Sequence, residues 1–281
     1  MNASFDVLGA LPPQSPVVLS VPHAGRDYPA ALLAALRVHI RVATALEDRH
    51  VDGIAHAARG VRTTIVARRA RAWIDLNRSE DERDTRVDEG ARVVALAMRS
   101  AKVRSGLGLV PRRATNAGDL WLRRFSDAEI VQRIVEDHRP YHNAVAQALA
   151  AARARFGVAV LLDLHSMPSL GRQGPRIVIG DRFGRSAHER FVARVEAAAV
   201  ASGHQVARNA PYAGGHILDA HGAPTRDVHA IQLELDRSLY LDTALDCRGP
   251  GFAATVAIVA YILDALEDEA LGRGSSAMAA E

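Results

Sequence analysis

The chain predicts an α/β fold, a single domain built on a mixed, mostly parallel sheet with helices on both faces. Three observations carry that prediction. Val17-Val-Leu-Ser-Val-Pro-His23 and Val158-Ala-Val-Leu-Leu-Asp-Leu-His165 are apolar, β-branched runs that each end in a histidine. Strands buried on both faces of a parallel sheet read this way. Val228-His-Ala-Ile-Gln-Leu-Glu234-Leu is a third such run, with a carboxylate in its interior.

The elements follow in order. Apolar runs with nearby turn signals predict strands at 16–21, 61–67, 72–76, 158–164, 176–180, 205–208 and 228–236. Helices are expected at 29–38, 48–59, 127–155, 185–202 and 251–271. Ser126-Asp-Ala-Glu129 opens the third helix as a capping box. Pro140 lies inside that helix, which predicts a kink or a division into two. The stretch 79–125 has mixed charge, several glycines and little periodicity, the marks of a long functional loop or an inserted lid. The catalytic domain is expected over 1–271, with a flexible tail at 272–281.

Composition narrows the class. At 281 residues and 48% hydrophobic, the chain has ample material for a packed core. Aromatics are only 5%, so Ala, Val, Leu and Ile must fill that core. No charge-free apolar run is long enough for a membrane span. The start, Met1-Asn-Ala-Ser-Phe-Asp, lacks the basic and apolar regions of a signal peptide. Cys247 is the only cysteine, so no internal disulfide forms, and a reducing cytoplasm is expected. The formal charge is +3, with Lys102 the only lysine. The arginines are scattered among 32 acids without a basic stripe, which argues against nucleic-acid binding.

Two buried strands that each deliver a histidine at the carboxyl end suit a metal site in the crevice of an open α/β sheet. His23 follows Pro22 and precedes Ala24-Gly25, where a tight turn presents the imidazole; a polar contact in a turn is the plainer reading. Asp163 and His165 share one strand face, so Asp163 is placed to orient the ring or to serve structure alone. Catalytic zinc takes three protein ligands and leaves one position for water. The third ligand is sought in Leu46-Glu-Asp48-Arg-His50-Val-Asp52, where spacing does not choose among Glu47, Asp48, His50 and Asp52. A helix cap at Asp48 and a solvated acid at Asp52 are the alternatives.

Ala72-Trp-Ile-Asp75-Leu-Asn77-Arg78 reads as a strand ending in Asn-Arg, whose fork fits a substrate carboxylate or a surface ion pair. Alternation puts Gln232, Glu234 and Asp236 on one face of the third strand. Near a metal-activated water Glu234 is a general base; otherwise it pairs with Arg237 or another arginine. Pro211-Tyr-Ala-Gly-Gly-His216 is a Gly-hinged loop that brings His216 to substrate or makes an ordinary turn.

Taken in order, these segments resemble the N-formylglutamate amidohydrolase family. The matching pieces are Ser20-Val-Pro-His23-Ala-Gly25, Asp48, Ile74-Asp-Leu-Asn77-Arg78, Asp163-Leu-His165-Ser166, Gly214-Gly-His216-Ile and His229-Ala-Ile-Gln-Leu-Glu234 with Tyr240. They run from residue 16 to about 242. The family is similar to the zinc carboxypeptidases, which implies a phosphorylase/hydrolase-like, zinc carboxypeptidase-like fold. The resemblance implies one Zn2+ held by His23, Asp48 and His165, with Glu234 catalytic and Asn77, Arg78 and His216 on substrate. Carboxypeptidases place the acidic ligand three residues after the first histidine, where this chain has Arg26; the resemblance moves it to Asp48. The implied reaction converts N-formyl-L-glutamate and water to formate and L-glutamate, a step of histidine catabolism. Gly106-Leu-Gly-Leu-Val-Pro-Arg-Arg113 does not match the best-known members, which leaves the acyl group and the amino acid open. A carboxypeptidase-like peptidase, another deacylase of N-acyl amino acids and a metal-free binding protein of the same fold are the other readings.

Overall fold

The computed structural model describes residues 3–93, 100–114 and 118–273. From 274 on, the expected tail lies outside the described residues, as do 94–99 and 115–117 of the expected insert. In chain order the elements are β1 (Phe5–Leu8), β2 (Val17–Val21), α1 (Ala30–Ala35), α2 (Ile40–Ala43), α3 (Val51–Ala58), β3 (Thr64–Ala67), α4 (Ala101–Arg104), α5 (Asp127–Arg133), a π-helical turn (Ile134–His138), α6 (Arg139–Phe156), β4 (Ala159–Met167), β5 (Ile177–Gly180), α7 (Glu189–Ala201), β6 (Val206–Arg208), α8 (His216–His221), β7 (Val228–Asp236) and α9 (Phe252–Ala270). They fall into two compact units. One gathers the chain up to Asp6, Pro22–Asp48 and Ala67–Asn143; the other gathers Val7–Val21, Arg49–Val66 and the chain from Ala144 on.

The second unit is organised by the sheet, whose order is β1-β3-β2-β4-β7-β5-β6. β2 pairs in parallel with β3 and β4, and β4 pairs in parallel with β7. β5 runs parallel to β6 and antiparallel to β7, so the sheet is mixed, as the sequence predicts. All of β2 and β4 is buried, which is why both read as largely apolar runs. α9 packs on β2, β4, α3 and α7, and α8 packs on β4 and β7. Strand order reverses between β2 and β4, since β3 lies on one side of β2 and β4 on the other. A crevice for ligands opens at the carboxyl ends of strands flanking such a reversal. His23 follows β2 by two residues, and His165 lies near the end of β4.

The first unit is irregular and held by polar contacts. No strand forms at 72–76, which corrects the expected one. The backbone there satisfies itself in turns: Trp73 N–H bonds Ala70 O at 2.8 Å and Arg78 N–H bonds Asp75 O at 3.1 Å. Asp75 takes a further amide, Asn77 N–H, onto its carboxylate at 2.9 Å. A short acid that captures nearby amides competes with a strand ladder. The stretch 79–125 docks on this turn, Asp75 N–H bonding Leu109 O at 2.7 Å. Buried Arg112 pairs with buried Asp84 at 3.0 Å, and Leu109, Leu120, Trp121 and Phe125 are buried.

The expected helix at 127–155 forms as α5, the π-turn and α6, which together span 127–156. Ser126 and Glu129 make the reciprocal capping box. The π-turn ends at His138, just before Arg139-Pro140, where the missing proline N–H breaks the α-helical ladder. Arg133 is buried between Trp73 and Phe125, its guanidinium 3.8 Å and 4.1 Å from the two ring centroids. Burial brings that guanidinium down to about 10.

Candidate metal centre and active site

His23 is buried and held through its Nε2 by Asp75 Oδ1 at 2.7 Å. Burial alone would push the Asp75 carboxyl up. Arg71, Arg78 and His23 outweigh it and hold the carboxyl well below the usual carboxylate range. Arg71 Nε donates to Asp75 at 2.8 Å, and Arg78 Nη2 lies 3.8 Å away. An ionised carboxylate only accepts, so Nε2 of His23 carries the ring proton. The other nitrogen, Nδ1, then presents a lone pair toward Asp48 Oδ2 at 3.6 Å. Two acceptors facing each other repel unless a cation or a proton lies between them. Metal–nitrogen and metal–oxygen bonds at a tetrahedral angle put the two ligand atoms about 3.4 Å apart, so this pair fits a shared ion.

Gly25 matters here through its size. A Cβ on Gly25 would sit 2.1 Å from Arg69 O, so glycine admits the neighbouring main chain. That approach lets Asp27 pair with Arg69 in a short bridge and fixes the segment after His23.

The sheet unit repeats the arrangement. His165 Nε2 donates to Asp163 Oδ2 at 2.7 Å, and Ser20 Oγ donates to Asp163 Oδ1 at 2.8 Å. Strand alternation places Asp163 and His165 on one face, as the sequence predicts. Both predicted histidine ligands are therefore fixed through Nε2 by a buried aspartate. A carboxylate behind a ligating imidazole sets its tautomer and raises its basicity. The strand spacing offers Asp163 as such a partner or as a structural residue. Asp75 is not offered, because it reads as one polar residue in an apolar run.

β7 sets Glu234 directly across the ladder from His165. Gln232 Nε2 donates to Glu234 Oε1 at 2.9 Å on the same strand face. Asp236, the third residue of that face, pairs with Arg176 at 2.6 Å. Arg237 donates to Ser166 Oγ at 3.2 Å.

The four acids and histidines around position 48 separate. Asp48 lies three residues before α3, not within it, and its own N–H bonds His23 O at 2.9 Å. Glu47 accepts the Tyr28 hydroxyl. His50 adopts a left-handed conformation at the helix start and contacts Asp246 O at 3.1 Å. Asp52 lies in the first turn of α3.

Asn77 and Arg78 sit in the turn after Asp75, both 5% exposed, so Arg78 is not a surface ion-pair residue. Arg78 Nε donates to Leu107 O at 2.7 Å and Nη1 donates to Asn77 O. That leaves part of its five-donor fork for a ligand. His216 stands at the end of the Gly-hinged loop and opens α8, with Gly215 as the residue before it.

Within the described residues of the first unit, two pairs of side chains could contribute ligands to a metal ion: His23 with Asp48, and His138 with His142. The first is buried and combines an imidazole with a carboxylate. In the second, His138 and His142 bond backbone carbonyls through Nε2, and burial holds His138 below the usual imidazole range. No helix among the described residues is long and apolar enough to cross a membrane.

Comparison with known proteins makes this α/β chain an amide hydrolase. The chain belongs to the N-formylglutamate amidohydrolase family, whose model matches residues 15–241. It is 29% identical to the N-formylglutamate deformylase of Pseudomonas aeruginosa, over 89% of this chain and 92% of that protein. It is 28% identical to the N-formylglutamate deformylase of Pseudomonas putida, covering 81% of this chain and 82% of the relative. The crystal structure of N-formylglutamate amidohydrolase from Ralstonia eutropha JMP134 superposes with a TM-score of 0.86 at 31% identity, covering 97% of this chain and all of that one.

Proposed function

We propose that this protein is a zinc-dependent amidohydrolase that cleaves N-formyl-L-glutamate to formate and L-glutamate. The observation that carries the metal assignment is the His23–Asp48 geometry. An imidazole whose Nε2 is committed to Asp75 turns Nδ1 toward a carboxylate at cation-sharing distance. His165, with the same aspartate support on the strand beside β2, supplies the third ligand. Zinc bound there supplies a Lewis acid and lowers the pKa of water toward about 7.

The chain's own residues do the rest. Glu234 takes the proton from the attacking water and delivers it to the leaving amine nitrogen. Gln232 orients that carboxylate through the 2.9 Å bond to Oε1. Arg78, with Asn77, binds a carboxylate of the substrate's glutamate portion; the guanidinium stays charged and matches a carboxylate in two-point fashion. His216 donates to the developing oxyanion. The substrate follows from the family and from Pseudomonas relatives named for this deformylation. The reaction belongs to a small acidic substrate and uses no nucleic acid.

The test is formate release by purified protein from N-formyl-L-glutamate, with N-acetyl-L-glutamate and glutamyl peptides in parallel. Preference for the formyl compound supports the proposal. Amino-acid release from peptides alone would replace it with a peptidase.

A further inference from the structure

Two histidines outside the proposed reaction grip the turn that carries Asn77 and Arg78. His138 Nε2 donates to Arg78 O at 2.8 Å, and His142 Nε2 donates to Leu76 O at 2.9 Å. A carbonyl oxygen only accepts, so both rings carry a proton on Nε2. The rings stack with centroids 4.4 Å apart and planes 38° apart. They stand four residues apart along one helix, on neighbouring turns of the same face. The carbonyls on either side of Asn77 are thus each held by a ring that its neighbour supports.

The other side of the turn is fixed as well. Asp75 accepts Asn77 N–H on its carboxylate at 2.9 Å and Arg78 N–H on its carbonyl at 3.1 Å. Main chain between 75 and 78 is therefore bound from two directions, by an acid within the turn and by two imidazoles from the helix. A turn that only had to reverse the chain would not need a buried and a half-buried histidine on the carbonyls either side of Asn77. One that must aim a guanidinium does need them, because a small rotation at the Arg78 Cα displaces the fork by much more.

We infer that His138 and His142 are positioning residues for substrate recognition: they fix the Asn77-Arg78 main chain and so aim the Arg78 fork at the substrate carboxylate. This rests on the assignment of Arg78 as the carboxylate anchor. Loss of a ring donor then weakens substrate binding without touching the metal ligands or Glu234. An interaction made equally in ground and transition states appears in KM and leaves kcat unchanged.

The experiment compares zinc-loaded wild type with His138→Leu, His138→Gln and Arg78→Gln, measuring KM and kcat on N-formyl-L-glutamate together with bound zinc. His138→Leu should raise KM between about tenfold and a hundredfold while kcat and zinc content hold. His138→Gln keeps an N–H at similar reach and should recover most of that loss. The half-buried His142, changed to Leu and to Gln, gives the same readout if His138→Leu does not fold. Unchanged KM in the leucine variants, or a joint fall of kcat and zinc, overturns the inference. If Arg78→Gln raises KM while the leucine variants do not, the inference alone falls. If Arg78→Gln also leaves KM unchanged, the anchor assignment falls with it.

Discussion

His165 on β4 stands directly across the parallel ladder from Glu234 on β7. Neighbouring strands lie about 4.8 Å apart, so the register makes a proposed metal ligand and the proposed base adjacent. Each is two residues from the carboxyl end of its strand. Backbone hydrogen bonds of the sheet, rather than loop packing, set this spacing.

Glu234→Gln should therefore abolish turnover and keep the metal. The amide retains the shape and a partner for Gln232 but cannot take a proton. Loss of a general base removes about 10²–10⁴-fold in kcat. Zinc stoichiometry and the unfolding midpoint should stay near wild type. Full activity in the folded fraction would make Glu234 a structural residue.

Asp75→Asn addresses the support behind His23. Losing the carboxylate that fixes Nε2–H should weaken zinc binding about 10–100-fold. It also leaves Arg71 and Arg78 facing a neutral group, and removing one partner of a buried ion pair destabilises by about 3–5 kcal/mol. The sign with pH follows from the depressed carboxyl. Its stabilisation is fully present above the ordinary value of 3.8 and is lost as pH falls below it toward the folded value. Acid unfolding followed by circular dichroism should be less steep below pH 4 in Asp75→Asn than in wild type.

Asp48→Ala should lose zinc, whereas Asp52→Ala and His50→Ala should keep it. Asp48 lies against His23 Nδ1 at 3.6 Å. Metal analysis of the three purified variants separates them. Retained zinc in Asp48→Ala with loss in Asp52→Ala would move the third ligand.

Ser126→Ala removes half of a capping box. An N-cap serine is worth about 0.5–2 kcal/mol, and urea denaturation should show a loss in that range. The kcat should not change, since Ser126 only starts α5. A large fall in kcat would tie α5 to catalysis.

The strands that build the site were legible because burial on both faces favours largely apolar, β-branched runs, as in β2, β4 and β7. Asp163 was legible beside His165 because strand period alone puts them on one face. Asp75 was not. Ala72-Trp-Ile-Asp-Leu reads as a strand, but the acid is surrounded by Arg71, Arg78 and His23, partners that no local pattern announces. The stretch 79–125 showed no period; among its described residues ion pairs such as Arg112–Asp84 and Arg83–Asp88 make the contacts that an apolar stripe would make elsewhere.

The most direct test of the central claim is formate release from N-formyl-L-glutamate before chelation, after removal of metal, and after zinc is restored. The account predicts activity that disappears with the metal and returns with zinc. Undiminished formate release from protein shown by metal analysis to be zinc-free would contradict it.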